Sequence, residues 1–488
     1  MLFNSLRFLL IFPLIFGLYW AIPARYNQWR KCFLIICSYL LYMNWKPVYA
    51  LILIGVTLVT YWGGQILSLE LKDKSLELGE SSSSSKFKSS RKRKRLAWCF
   101  ALLALLPLLA FKYFNFINVS VITGLASIGL QFSMPGLNWA VPVGISFFTF
   151  QAVGYMLDVY HGRIKAERNL VDYILFVSFF PQVASGPISK ADELIPQIKV
   201  AHKFDYNQAV CGLRYLLWGM FLKVVMADRA GIYVDTVFSS YDKFSGLGCI
   251  IASVLYSIQI YADFAGYSLM AVGIAKTLGF DLINNFKRPY FAASITEFWK
   301  RWHISLTRWL TQQVYIPLGG SRCSKFKNYW NILVTFLVSG IWHGANWTFI
   351  VWGLMHGVIQ IIEKTLGWNK KELMGIIKGL RIVITFVIVT LAWVIFRSPS
   401  IGDAIGLIGR YFQMSGRIIP DGAMTEFLYC IFALIPIVAY EALTEYNAAL
   451  YYRFAGKRIL RWTVYLVIFT MILLAGVHDG SSFIYVSF

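Results

Sequence analysis

Long, uninterrupted apolar blocks dominate the pattern of this chain. Many approach the roughly 20 residues that a helix needs to cross a bilayer. They are continuous, whereas the strands of a membrane β-barrel alternate in hydrophobicity. The pattern therefore predicts an all-α polytopic membrane protein with about 11–13 membrane helices, including re-entrant segments and a cytoplasmic interfacial helix. The predicted spans are Leu9–Ile22, Cys32–Trp45, Val48–Leu67, Leu96–Ile117, Ala140–Tyr160, Leu170–Val183, Val210–Met226, Ile250–Leu278, Trp330–Ile341, Trp347–Ile362, Ile382–Phe396, Phe427–Tyr440 and Val464–Ala475.

Two apolar blocks contain breaks. Phe179–Pro187 holds two prolines and a glycine, and proline removes an amide donor from a helix, so this block is predicted to be re-entrant. Asn328–Ile362 has 35 residues without a charged side chain, too many for one crossing. The chain is therefore predicted to enter the membrane, turn near Gly344–Asn346 and return.

The charge distribution predicts membrane topology. The net charge is +22, but only 14% of residues are charged, against about 25% in soluble domains. Lys86–Arg95 carries seven basic residues between two apolar blocks, which indicates a cytoplasmic loop against anionic lipid headgroups and no nucleic-acid role. Successive spans alternate in direction, and with this loop in the cytoplasm the N-terminus is predicted to lie outside.

We predict one membrane domain over residues 1–488, with a basic loop at 68–95, a catalytic core at 138–362 and an interfacial region at 284–322.

A Trp-rich basic helix is predicted within the interfacial region. Ser294 and Glu297 match a capping box, and the helix pattern continues from Phe298 to Leu310 with His303 in its middle. The segment is too short and too charged to span, so it is predicted to lie in the membrane interface. There His303 either contacts headgroups or takes part in catalysis.

Histidines are the best candidates for catalysis. The sequence has no Gly-x-Ser-x-Gly elbow, nucleotide-binding loop or metal-ligand spacing, so no metal is predicted. His343 lies in the uncharged turn and is the leading general base, since desolvation keeps imidazole neutral. The alternative is a core histidine that donates a hydrogen bond. His303, beside Lys300 and Arg301, is also expected to be neutral, whereas His356, between Gly353 and Gly357, is interpreted as a packing residue.

Several long motifs stand out in the chain. They are Glu297–Thr307, Val314–Gly320, Ile341–Gly344, Pro142–Gln151, Phe180–Ile188, Tyr261–Ser268 and Phe483–Tyr485. These motifs resemble the membrane-bound O-acyltransferase (MBOAT) superfamily, and within it the alginate-type bacterial polysaccharide O-acetyltransferases. The resemblance runs from Pro142 to Gly357, and an Arg-Asp pair of the family is replaced by Thr311-Gln312.

The resemblance implies a reaction and its residues. Acetyl from cytoplasmic acetyl-CoA would pass across the bacterial inner membrane to an extracytoplasmic polysaccharide such as alginate, directly or through an extracytoplasmic partner protein. His343 and His303 match the two histidines of the family and would be catalytic, with no permanently bound cofactor. Alternatives are D-alanyl transfer to teichoic acid from a carrier-protein thioester, and a non-enzymatic transporter or flippase. The residues predicted to bind the donor are Trp302, Lys300, Arg301, Arg308, Asn346 and Asp263.

Overall fold

The regular structure of the described chain is helical. The computed structural model describes residues 3–77, 91–133, 135–136, 139–368 and 374–477. Within these ranges the only β-type pairing is one isolated bridge between Phe244 and Arg417. The all-α prediction is confirmed. Residues 78–90 of the predicted basic loop and the Phe483–Tyr485 motif lie outside the described residues.

Seven helical segments in these ranges are long and apolar enough to cross a membrane. There are eight if Leu6–Ala21 and Ala24–Met43, which meet at a bend of 102°, form one span. The multi-pass prediction is confirmed, while re-entrance and the side on which each loop lies stay predictions. The seven segments are Tyr49–Leu69, Arg91–Ser127, Tyr206–Ser239, Gly246–Thr277, Gly375–Arg397, Met424–Tyr446 and Arg458–Ala475.

The first of two compact units contains mainly residues 7–211 and 274–283. Its helix α7 ends at Ser178, and the following Phe179–Val183 segment is buried, which confirms the predicted helix break. The Ser38 hydroxyl accepts a hydrogen bond from the amide of Phe180, so this amide at the helix break has a partner. The helices are α1 (Leu6–Ala21), α2 (Asn27–Met43), α3 (Tyr49–Glu77), α4 (Arg91–Leu108), α5 (Phe114–Ser127), α6 (Ile145–Tyr160), α7 (Leu170–Ser178), α8 (Phe180–Val183) and α9 (Ala191–Lys199).

The second unit contains mainly residues 212–273 and 284–488. A π-helical turn, Phe221–Ala227, joins its first two helices and carries the buried Lys223. The helices are α10 (Tyr206–Met220), which begins in the first unit, α11 (Asp228–Ser239), α12 (Gly246–Thr277), α13 (Ile295–Arg301), α14 (Ile304–Leu310), α15 (Lys325–His343), α16 (Trp347–Thr365), α17 (Gly375–Arg397), α18 (Ile401–Arg410), α19 (Met424–Tyr446), α20 (Ala448–Gly456) and α21 (Arg458–Ala475).

Helices α15 and α16 form a close hairpin. The chain turns between His343 and Trp347, so the predicted turn is confirmed. A Cβ atom on Gly340 would lie 2.3 Å from the carbonyl oxygen of Phe349, and one on Gly353 would lie 2.4 Å from that of Phe336. Glycine at both positions therefore lets the two backbones touch, which fixes the end of α15 against α16.

The predicted continuous helix from Phe298 to Leu310 is wrong. Helix α13 ends at Arg301 and α14 begins at Ile304, because His303 adopts a left-handed backbone conformation with φ of 43°. The predicted start is confirmed, since the Ser294 hydroxyl accepts a hydrogen bond from the amide of Glu297 at 3.0 Å. At this break the side chain of His303 lies in the protein interior. The position of α13 and α14 in a membrane interface stays a prediction.

Candidate active site

His343 lies at the C-terminal end of α15 and is 2% exposed. Its ring makes edge contacts with three aromatic neighbours, Trp342, Trp352 and Phe396, at centroid distances of 4.8, 5.0 and 5.3 Å. The carbonyl groups at a helix C-terminus favour positive charge. The position therefore suits an imidazole that takes up a proton during a reaction.

His303 is completely buried at the break between α13 and α14. Its ring lies 4.7 Å from that of Phe264 and 5.6 Å from that of Trp342. Asn285 holds the break, since its carbonyl oxygen accepts from the amide of Ile304 at 2.9 Å and its side-chain oxygen accepts from the amide of Ser305 at 3.1 Å. A left-handed histidine costs about 1–3 kcal/mol and persists only when its surroundings enforce it. Full burial also means that His303 does not contact lipid headgroups.

Trp342 connects the two histidines. The rings of His303 and His343 both pack against this indole. The fold therefore brings together the two residues that the sequence singled out, although 40 positions separate them along the chain. Their catalytic roles stay predictions. With His343, the buried rings of Trp302, Trp342, Trp352, Trp393 and Phe396 form a continuous set of ring contacts, called the aromatic wall below.

Burial makes His303 a neutral imidazole. The low-polarity surroundings lower its pKa to about 3. The sequence predicted neutrality from the neighbouring cations, but burial is the main cause. A neutral imidazole can donate from one nitrogen and accept at the other, so His303 can polarise or orient a substrate group without carrying charge.

The His303→Asn variant tests this burial, because asparagine tolerates left-handed φ. In the wild type the folded pKa lies below the unfolded value near 6.5, so the unfolded state binds more protons between these values. Stability should therefore fall with decreasing pH, by up to about 1.4 kcal/mol per pH unit from this group. Thermal unfolding of the purified protein at pH 5 and pH 7 should show a smaller difference in the variant. An equal change in unfolding temperature between pH 5 and pH 7 in the wild type and the variant would contradict the assignment of His303 as a buried neutral imidazole.

Several predicted donor-binding side chains have structural partners. Arg301 forms ion pairs with Glu297 and Glu445, at 2.6 and 2.9 Å. Asn346 accepts from the amide of Thr348 and so caps α16. Asp263 pairs with Lys223 at 2.7 Å. These contacts give Arg301, Asn346 and Asp263 structural roles, and their roles in donor binding stay predictions.

Other predicted donor-binding residues remain accessible or lie in the aromatic wall. Lys300 is exposed and Arg308 is half-buried. Trp302 is completely buried and packs against Phe298 and Trp393, with centroid distances of 5.4 and 5.0 Å. Lys300 offers positive charge to solvent, as do the exposed Lys287 and Arg322 in the same region of the chain.

His356 joins the aromatic wall, although its sequence context indicated only packing. It is completely buried, and its Nδ1 accepts a hydrogen bond from Nε1 of Trp299 at 3.3 Å. Its ring lies 4.9 Å from that of Trp352, which itself contacts His343. The available sequence signal was the four-residue spacing of Trp352 and His356, which places both on one helix face.

Comparisons with known proteins identify the family of this chain. Residues 164–368 match the model of the MBOAT, membrane-bound O-acyltransferase family. The chain is 37% identical to the probable alginate O-acetylase AlgI of Pseudomonas syringae pv. tomato, over 85% of this chain and 75% of the relative. The chain belongs to the MBOAT family. It is therefore a multi-pass membrane acyltransferase, and the transporter or flippase alternative is set aside.

Two further relatives of this MBOAT protein differ in their named acceptors. The peptidoglycan O-acetyltransferase of Helicobacter pylori is 32% identical over 85% of this chain and 80% of its own length. The teichoic acid D-alanyltransferase of Streptococcus thermophilus is 28% identical over 64% of this chain and 77% of its own length. The matched family region contains His303, His343 and His356.

Proposed function

We propose that this protein is an O-acetyltransferase of the bacterial inner membrane. It takes acetyl from cytoplasmic acetyl-CoA and passes it to an extracytoplasmic polysaccharide such as alginate, directly or through an extracytoplasmic partner protein. The observation that carries the proposal is the placement of His303 and His343 against one buried indole, Trp342. The relatives named as alginate O-acetylase and peptidoglycan O-acetyltransferase support a polysaccharide acceptor.

His343 acts as the general base in this mechanism. An acceptor hydroxyl attacks the thioester carbonyl carbon while His343 takes its proton. The tetrahedral intermediate then collapses, the carbon–sulfur bond breaks, and the proton passes from His343 to the leaving thiolate. Neutral His303 orients the reacting groups. The aromatic wall excludes water, which would otherwise hydrolyse the thioester.

The donor approaches from the cytoplasm, because coenzyme A is a large polyanion that does not cross lipid. Exposed Lys287, Lys300 and Arg322 attract its phosphates. The N-terminus lies outside in the predicted topology, so the charge-rich loops face the donor. Only the acetyl group needs to cross toward the acceptor.

The identity of the thioester tests this proposal. Purified full-length protein in detergent, supplied with an acceptor polysaccharide such as alginate, should release free thiol from acetyl-CoA and should leave a D-alanyl carrier-protein thioester intact. High salt should raise KM for acetyl-CoA, because it screens the exposed cations. Thiol release is followed with a colorimetric reagent, and protein-free micelles serve as the control. If the protein consumes only the carrier-protein thioester, the proposal is wrong and the reaction is D-alanyl transfer.

A further inference from the structure

Two buried N–H groups of α16 have no acceptor in the described part of the chain. One is Nε1 of Trp352, and the other is Nε2 of His356. Both side chains are completely buried. An unmade hydrogen bond of a buried polar group costs about 1–3 kcal/mol. Two such donors in one small region indicate that an acceptor arrives during function.

Trp299 determines which nitrogen of His356 carries the proton. The indole N–H of Trp299 donates to Nδ1 of His356 at 3.3 Å, so Nδ1 is an acceptor. In a neutral imidazole the other nitrogen must then be protonated. Nε2 of His356 is therefore an N–H donor, and Trp299 is the residue that holds it in this form.

Ring contacts connect the two donors to the proposed base. Trp352 and His356 are one helical turn apart on α16, and their rings are 4.9 Å apart. The Trp352 ring also lies 5.0 Å from the ring of His343. The Gly340–Gly353 contact fixes α16 against the helix that ends in His343. Donors and base are thus held by one rigid hairpin.

We propose that the N–H groups of Trp352 and His356 form an oxyanion hole for the acyl carbonyl. This inference rests on the proposed function. As the acceptor oxygen bonds to the carbonyl carbon, the π electron pair moves onto the carbonyl oxygen, and the two N–H groups stabilise its negative charge. When the carbon–oxygen double bond reforms, the thiolate leaves and takes the proton that His343 holds. Donors aimed at developing charge in a dry site give strong rate enhancement.

The Trp352→Phe variant removes one donor and keeps an aromatic ring. We expect kcat for thioester consumption to fall by about 100-fold or more, as for the loss of one oxyanion-hole donor, with KM little changed. Tm should not fall through loss of a hydrogen bond, because this N–H makes none with the described chain. A second variant, Trp299→Phe, should lower kcat less, since His356 could then adopt either tautomer.

Trp20→Phe is the matched control. The indole N–H of Trp20 donates to the carbonyl oxygen of Thr277 at 3.0 Å, far along the chain from the histidines. This control should lose stability and keep kcat per folded molecule. Unchanged kcat in Trp352→Phe, or a fall in kcat explained by less folded protein, would overturn the oxyanion hole and leave the proposed function intact. A wild-type protein that consumes neither acetyl-CoA nor a carrier thioester would overturn both.

Discussion

His343→Ala is expected to abolish acetyl transfer while the protein remains in the membrane at its normal level. The substitution removes the proposed proton acceptor, and loss of a general base costs about 100- to 10,000-fold in rate. His343→Gln keeps much of the side-chain volume and cannot take up the proton, so it should be equally inactive. The measurements are O-acetyl groups on the exported polysaccharide and an immunoblot of the membrane fraction.

The exposed His161 provides the control for this prediction. It lies just after α6, outside the aromatic wall, and His161→Ala should leave acetylation unchanged. Polymer that is still acetylated in His343→Ala cells would contradict the assignment of the base. So would a loss of acetylation that merely follows a loss of protein from the membrane.

The sequence predicted the His343 region well because its signal is local. Thirty-five uncharged residues exceed one crossing, and the only polar turn in that stretch precedes Trp347. Both helices and the turn appear where this length argument places them. The capping box at Ser294 was predictable for the same reason, since side chain and amide are three residues apart.

The surroundings of His303 could not be predicted from local pattern. Its left-handed backbone depends on Asn285, which lies 18 positions earlier and accepts hydrogen bonds from the amides after the break. Helical periodicity alone favoured a continuous helix, and tertiary contacts overrode it. The sequence likewise singled out Asp263 as a predicted donor-binding residue, but not its partner, because Lys223 lies 40 positions away on a π-helical turn.

That partner gives the second large effect. Lys223 is 1% exposed and forms ion pairs with Asp228 and Asp263, both at 2.7 Å. Lys223→Met fills similar space but leaves two carboxylates buried without their counter-ion. Breaking a buried pair by removing one partner costs about 3–5 kcal/mol. We expect a large fall in Tm and in membrane abundance, measured by thermal unfolding in detergent and by immunoblot.

Loss of this ion-pair cluster should also disturb the candidate active site. Asp263 precedes Phe264, whose ring packs against His303, so the cluster fixes α12 where it supports that histidine. Lys276→Met is the matched control, because its ion-pair partner Asp281 is 61% exposed and such pairs contribute about 0–1 kcal/mol. Adding Asp263→Asn to Lys223→Met should recover part of the stability, because one buried charge is then removed. Equal stability of the Lys223 and Lys276 variants would show that the buried cluster does not hold the helices together.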